Sequence, residues 1–222
     1  MCSYEAEKEE GMDLNKLQQT EAIFQKLPSF FQEHCRRTGK LAGGFLEYLM
    51  KEQAVSGMSD PGGFLPSDME LMGKYHDIGK TAISHSVWLS RRPLTAAEQS
   101  LVRTHPLFGA YLIRGMAVPP EAESLENGFW EEAARCCQYH HERWDGAGYP
   151  FGISGESIPL LARIICIADA YDAMTSVRPY RAGMPEEEAL EEIFRNKGKQ
   201  FDPVLAPLFC ELMQATQVAA VQ

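Results

Sequence analysis

The chain has 222 residues, of which 45% are hydrophobic and 23% are charged, and its formal net charge at pH 7 is −10. This length and composition suit one sizeable globular domain with a substantial core and argue against a disordered chain. The negative charge disfavours binding to duplex nucleic acid, although local cations can still attract a small phosphate ester. No apolar run reaches the roughly 18 residues of a membrane span, and the opening segment lacks the pattern of a signal peptide. We therefore expect a cytoplasmic protein that does not associate with membranes.

The first strong helical signals follow an acidic N-terminal segment. Residues 1–27 are predicted to be partly disordered or to form a short helix, and residues 28–222 are predicted to form one domain. Ser29, Ser67 and Thr95 each stand three residues before a Glu or Gln, a capping-box pattern that predicts three helix starts. From Ser29 onward, apolar and small residues recur at steps of three and four, which predicts a long amphipathic helix.

The rest of the chain also carries helical patterns. The helix that starts near Ser67 is predicted to end at HDIGK (76–80), where Gly79 is the expected terminator. Asp202 is the predicted cap of the last helix. Further helices are predicted at 96–104, 106–116, 121–141, 159–176, 185–196 and 203–217. Because no segment alternates apolar and polar residues with period two, we predict an all-α fold.

The six cysteines show no Cys-x-x-Cys spacing. Most occupy apolar helical positions, so we expect reduced and buried thiols. The neighbours Cys136 and Cys137 have a second interpretation as a metal-binding or oxidisable pair. Adjacent residues on a helix point about 100° apart, which favours the core interpretation.

Histidines and aspartates interrupt the apolar helices at widely separated places. Burying a histidine beside a carboxylate is costly unless something binds both groups. Imidazole nitrogen and carboxylate oxygen form the ligand set of Mn, Fe, Zn and similar ions. We therefore predict a polynuclear metal site in the interior. The polar positions that point to it are His34, His76, Asp77, Lys80, His105, His140, His141 and Asp169.

Three of these positions keep an alternative interpretation. Asp77 has two oxygens and can bridge two metal ions, and Lys80 can place a positive charge near a metal-bound phosphate. The alternative for HDIGK is a capped helix end with a surface lysine. Asp169 lies in an apolar run and needs a partner, which is either a metal and its ligands or a structural salt bridge.

Two arginines flank a proline in the segment RPYR at 178–181. Arg178 and Arg181 can grip phosphate through paired N–H donors, and the proline stiffens the segment that carries them. The alternative is that both arginines are solvated residues after a helix.

Four motifs occur in a set order along the chain: HDIGK at 76–80, HP at 105–106, HHERWDGAGYP at 140–150 and ARIICIADAYDAMTSVRPYR at 162–181. Together they span about residues 30–215 and resemble the HD-GYP subgroup of the HD-domain phosphohydrolases. The resemblance implies an all-α HD-domain helical bundle with an HD-GYP loop. It also implies a metal-dependent phosphodiesterase that hydrolyses a cyclic dinucleotide, with cyclic di-GMP favoured over cyclic GMP-AMP, through a hydroxide shared by two metal ions.

The resemblance implies a particular assignment of residues. Asp77 and Lys80 are the expected catalytic residues. The trinuclear members carry a glutamate where this chain has Phe30, so we expect two divalent ions, Fe or Mn before Zn, Ni, Co or Mg. One ion is expected to be held by His34, His76, Asp77 and Asp169, and the other by Asp77, His105, His140 and His141. The expected substrate contacts are Lys80, Tyr149, Arg178 and Arg181.

Two alternatives to this function come from other classes. An HD-domain phosphohydrolase that acts on another nucleotide should lack the paired histidines and the GYP-like loop, and both are present here. A catalytically silent signalling module that keeps its fold and metals is the second alternative. We also expect that this domain can form a homodimer or bind a signalling protein partner.

Overall fold

The computed structural model describes residues 14–52, 63–90, 92–115, 126–177 and 182–220. Within those ranges the chain forms helices joined by turns and contains no β-strand, which confirms the predicted all-α fold. The α-helices are α1 Leu14–Phe24, α2 Ser29–Lys51, α3 Pro66–Tyr75, α4 His85–Trp88, α5 Ala96–Val102, α6 His105–Gly115, α7 Glu126–Tyr139, α8 Leu160–Thr175, α9 Glu186–Arg195 and α10 Leu205–Ala220. Two 3-10 helices cover Ile78–Ala82 and Gly155–Ser157.

One of the three predicted capping boxes is confirmed and two are wrong. Thr95 Oγ1 accepts the Glu98 N–H at 3.3 Å, and the Glu98 carboxylate accepts the Thr95 N–H at 2.8 Å. Ser29 is already the first helical residue of α2, after Pro28. The N-cap of α3 is Leu65, two residues before the predicted cap at Ser67. Pro66 occupies the first helical position, and the Asp68 carboxylate accepts the Leu65 N–H at 2.8 Å.

The amphipathic pattern of α2 organises the core. Its buried face carries aromatic, aliphatic and small residues in the predicted three- and four-residue steps, together with His34. This face packs against α3 and α8. A Cβ at Gly39 would lie 2.4 Å from the Glu70 carbonyl oxygen, so the close approach of α2 and α3 requires glycine there. The contact brings the His34 and His76 rings to a centroid distance of 5.6 Å.

The C-terminal helices close the other side of the core. Asp202 caps α10 as predicted, because its Oδ1 accepts the N–H groups of Val204 at 2.7 Å and Leu205 at 3.1 Å. Its Oδ2 forms a buried ion pair with Arg163 Nη1 at 2.5 Å. Phe209 packs edge-on against Phe45 on α2, with ring centroids 5.1 Å apart. Asp202 therefore joins α8 to α10 and also starts α10.

Helix α1 packs on the end of α3. The Phe24 ring meets the Tyr75 ring edge-on at 5.7 Å, and Lys74 Nζ lies 2.7 Å from Glu21 Oε2. The predicted domain boundary after residue 27 stays a prediction. No helix in the described part of the chain is both long and apolar enough to cross a membrane. The five described cysteines are free thiols, and Cys136 and Cys137 are both buried in the core.

Candidate metal centre

Seven side chains from five helices and the turns next to them converge at one interior point. Separate regions of the chain supply them, and all but His141 and Asp169 are buried. Helix α2 supplies His34, the turn after α3 supplies His76 and Asp77, α6 supplies His105, the turn after α7 supplies His140 and His141, and α8 supplies Asp169. The structure therefore brings together every residue that the sequence analysis proposed as a metal ligand.

The Asp77 carboxylate lies at the centre of the cluster and divides it into two groups. Its Oδ1 lies 3.0 Å from His105 Nε2 and 3.7 Å from His140 Nε2. Its Oδ2 lies 3.4 Å from His76 Nε2 and 3.9 Å from His34 Nε2. Ligand atoms of Asp77, His105, His140 and His141 all lie within 4.8 Å of one another, and so do those of His34, His76 and Asp77. Each carboxylate oxygen thus faces its own set of imidazoles.

Three imidazoles are oriented by the backbone. The Nδ1 atoms of His76, His105 and His140 lie 2.6 Å from Gly73 O, 2.7 Å from Val102 O and 2.7 Å from Cys137 O. A carbonyl oxygen only accepts, so Nδ1 carries the proton in each ring. In the neutral form of such a ring, Nε2 carries a lone pair that points into the cluster.

These lone pairs lack donors. The His76 Nε2 and Asp77 Oδ1 atoms are buried without a hydrogen-bond partner. His105 Nε2 and His140 Nε2 face each other at 3.4 Å, which places two acceptors in contact. Buried acceptors that converge without a donor are unfavourable unless a cation lies between them. The donor set of imidazole nitrogens and carboxylate oxygens therefore fits divalent metal ions.

His34 is held differently from the other imidazoles. Its Nε2 lies 3.0 Å from Asp169 Oδ1, and its Nδ1 lies 2.7 Å from Asp172 Oδ2. Burial alone lowers the pKa of His34, but the hydrogen bonds with Asp169 and Asp172 outweigh burial and raise the pKa to about 9. Arg37 in turn donates to both oxygens of Asp172, at 2.6 and 3.1 Å. The carboxylates thus favour a positive charge at this side of the cluster.

Asp172 and Arg37 were not assigned to the site from the sequence. Asp172 follows Asp169 by three residues on α8, and Arg37 follows His34 by three on α2. Residues three apart lie on the same face of a helix. That spacing is the signal that could have found both residues.

The HDIGK segment does not continue α3 as predicted. Helix α3 ends at Tyr75, and a separate 3-10 helix covers Ile78–Ala82. Gly79 is a close-approach residue rather than a terminator, because a Cβ there would lie 2.0 Å from the His105 carbonyl oxygen. The absence of a side chain lets the 3-10 helix pack on the start of α6. This contact brings Asp77 to His105.

Lys80 forms an ion pair with Asp77 Oδ2. Burial raises the pKa of Asp77, but the Lys80 ammonium beside it is the largest opposing effect, and the pKa lies well below its ordinary value. The Lys80 ammonium also lies 4.6 Å from the centroid of Phe31 and 5.4 Å from that of Trp88. Lys80 is therefore fixed at the edge of the cluster between a carboxylate and an aromatic wall.

The DGAGYP loop covers the His141 side of the cluster. The Tyr149 ring stacks on the His141 ring at a centroid distance of 4.8 Å, and the Tyr149–Pro150 peptide is cis. Burial lowers the pKa of His141 well below its ordinary value, with a further contribution from His140, so this imidazole is neutral and able to accept a metal ion. Glu142 Oε1 accepts the Phe151 N–H at 2.7 Å and so closes the loop.

The last two predicted substrate contacts, Arg178 and Arg181, lie outside the described residues. His85, the remaining one of the chain's six histidines, is exposed on α4. The remaining predicted site residues all lie in or beside the cluster.

A helical bundle with imidazoles and carboxylates clustered in its interior is typical of helical metal-binding proteins. A family model described as HD domain matches residues 18–205. The chain belongs to the HD-domain family.

Curated relatives align with more than half of this chain. The chain is 39% identical over 135 residues to the cyclic di-GMP phosphodiesterase response regulator RpfG of Xanthomonas campestris, covering 61% of this chain and 33% of that protein. It is 34% identical over 179 residues to a cyclic di-GMP phosphodiesterase of Vibrio cholerae, covering 79% and 35%. It is 32% identical over 136 residues to the 3'3'-cGAMP-specific phosphodiesterase 2 of Vibrio cholerae, covering 61% and 24%. The chain spans about a third or less of the length of these relatives.

Two solved structures share the fold. The HDG"Y"P protein Bd1817 of Bdellovibrio bacteriovorus aligns with a TM-score of 0.57 at 16% identity, covering 83% of this chain and 52% of that chain. A cyclic GMP-AMP specific phosphodiesterase of Vibrio cholerae aligns with a TM-score of 0.51 at 21% identity, covering 90% and 49%. The fold is therefore that of the HD-GYP proteins, as the sequence motifs predicted.

Proposed function

We propose that this domain is a metal-dependent phosphodiesterase that hydrolyses a cyclic dinucleotide, with cyclic di-GMP the favoured substrate. The observation that carries this proposal is the convergence of six imidazole and carboxylate side chains around Asp77. The relatives support the substrate class, since they are named as phosphodiesterases of cyclic di-GMP or of 3'3'-cGAMP.

The two groups of ligands suit two divalent ions. His34, His76, Asp77 and Asp169 would hold one ion, and Asp77, His105, His140 and His141 would hold the other, so that Asp77 would contribute to both. Bound divalent ions would supply an activated water at neutral pH and stabilise the charge that develops on the phosphate. Fe and Mn remain the favoured ions, although the same donors can also bind Zn, Ni, Co or Mg.

The other side chains would bind and orient the substrate. Lys80 would place its ammonium against the scissile phosphate at the rim of the cluster, where a positive charge stabilises the transition state. The Tyr149 ring would bound the pocket on the His141 side. Arg178 and Arg181 stay predicted phosphate contacts.

The alternative functions make different demands. A phosphohydrolase for another nucleotide would need no GYP-like loop, yet this loop packs directly on His141. A silent module would bind metal without turnover. A cytoplasmic location, a homodimer and a signalling protein partner stay predictions.

Anaerobic reconstitution tests the proposal. The purified protein is loaded with ferrous or manganous ion, its metal content is measured, and it is incubated with cyclic di-GMP and with cyclic GMP-AMP. We expect about two ions per chain and chromatographic peaks of the linear dinucleotide or of the mononucleotides. Bound metal without hydrolysis of either compound would reject catalysis and favour the silent module. Hydrolysis of cyclic GMP-AMP alone would correct the substrate.

A further inference from the structure

Arg103 lies at the end of a stack of rings that starts in the metal centre. It follows α5, and its guanidinium carbon is 5.2 Å from the centroid of the Tyr149 ring. Tyr149 stacks on His141 with an interplanar angle of 28°, and the His141 ring lies 5.0 Å from the His105 ring. Arg103 is therefore fixed beside the centre by an aromatic platform rather than by an acid.

The Arg103 guanidinium has no hydrogen bond or ion pair in the described part of the chain. Of the other basic groups near the cluster, Lys80 is assigned to the scissile phosphate, and Arg37 and Arg143 are paired with Asp172 and Asp145. Arg36, which also lacks a carboxylate, donates to Gln32 and lies over the Phe24 ring. In a chain with a net charge of −10, an exposed cation that lies over Tyr149 without a carboxylate partner is a position where an anion can bind without breaking an existing pair.

We propose that Arg103 binds the second phosphate of the cyclic dinucleotide, the one that is not being cleaved. This inference rests on the proposed function. A cyclic dinucleotide carries two phosphodiesters, and a single metal centre accommodates one of them. The other remains an anion that needs a partner at some distance from the metal ions.

The geometry of the stack suits this role. An arginine that lies over a ring uses its face for the cation–π contact and keeps the N–H groups on its edge free for hydrogen bonds. Those N–H groups match two phosphate oxygens, and a charge-assisted pair of this kind is among the stronger hydrogen bonds in proteins. Tyr149 would then act as the platform that fixes the arginine at the correct distance from the centre.

The experiment compares a substrate that has two phosphates with a substrate that has only one. Cyclic di-GMP has the second phosphate, whereas bis(p-nitrophenyl) phosphate is a small diester without one. Arg103→Gln, Arg103→Lys and the wild type are assayed on both, and metal content is measured for each. Arg195→Gln is the matched control, because Arg195 pairs with Glu191 and Glu192 on its own helix and its loss removes the same unit of charge.

We expect Arg103→Gln to lower the kcat/KM for cyclic di-GMP relative to that for the small diester by roughly 10- to 100-fold, the range of a lost charge-assisted hydrogen bond. The lower kcat/KM should come mainly from a higher KM. Arg103→Lys should show a smaller loss, because lysine keeps the positive charge but lacks the paired N–H donors of the guanidinium. Arg195→Gln should keep the wild-type ratio.

Two results would overturn the inference while leaving the proposed function intact. One is an unchanged ratio in Arg103→Gln. The other is an equal loss on both substrates or a loss of metal, which would mean that Arg103 only holds Tyr149 and the centre in place. If the wild type cleaves bis(p-nitrophenyl) phosphate but neither cyclic dinucleotide, the proposed function fails, and this inference fails with it.

Discussion

His34 Nδ1 lies 2.7 Å from Asp172 Oδ2, so an imidazole of the candidate metal centre is held by a carboxylate from another helix. Arg37 holds the same carboxylate from the solvent side through two N–H donors. A carboxylate behind a ligating histidine fixes the direction of the ring and raises its basicity. Asp172 is therefore a positioning residue for His34.

Asp172→Asn is expected to weaken metal binding about 10- to 100-fold, because a neutral amide fixes and polarises the imidazole less than a carboxylate does. Chelator competition measures the affinity, and metal analysis at saturation gives the stoichiometry. Glu131→Gln is the matched control, since Glu131 forms an exposed pair with Arg114. Equal affinities for Asp172→Asn and the wild type would show that His34 is positioned by other contacts.

Asp77→Ala and His105→Ala are each expected to abolish hydrolysis while leaving helicity nearly intact. Asp77 contributes an oxygen to both ligand groups, and His105 Nε2 lies 3.0 Å from one of those oxygens. Turnover and far-ultraviolet circular dichroism check the two halves of this prediction. Wild-type turnover in either variant would remove that residue from the catalytic site.

Gly79→Ala is expected to destabilise the fold by about 3 kcal/mol or more, because overpacking against a backbone carbonyl cannot be relieved by rotating a side chain. Gly44→Ala is the matched control. A Cβ at Gly44 meets nothing within 4 Å, so this helical substitution should stabilise by about 0.5–1 kcal/mol. Denaturant unfolding measures both changes. Equal effects of the two substitutions would contradict the close approach between Gly79 and His105.

Asp202→Ala is expected to cost about 3–5 kcal/mol, because it leaves the buried Arg163 guanidinium without its ion-pair partner. It also removes the cap of α10. The exposed pair of Arg114 and Glu131 provides the comparison, and Glu131→Ala should cost about 1 kcal/mol or less. Thermal or denaturant unfolding measures the stability of both variants. If Asp202→Ala lowers the free energy of unfolding no more than Glu131→Ala does, the argument is refuted.

Local patterns in the sequence were enough to predict most of the longer helices and the residue types that converge at the site. The stripe on α2, the Thr95 box and the Asp202 cap depend on residues a few positions apart, and interactions at that range act before the chain has any tertiary contacts. Histidines and aspartates inside apolar helices could be recognised for a similar reason, since the cost of burying them is a property of the residue and its neighbours.

Other features were decided by contacts between distant parts of the chain. The spacing of HDIGK suggested a continued helix that Gly79 terminates, yet the shape of that segment is set by the His105 carbonyl that packs against it. Asp172 and His34 are 138 positions apart, and no local pattern links them. The stack of Arg103, Tyr149 and His141 likewise joins two separate loops to the centre.

The sequence by itself determined that this protein is helical and that imidazoles and carboxylates must share its interior, because periodicity and desolvation are local properties of the chain. Only the tertiary structure decided which Asp77 oxygen faces which imidazoles, which acid supports His34 and which arginine is left unpaired. Those outcomes depend on how close particular helices approach one another, and that distance is set by packing across the whole core.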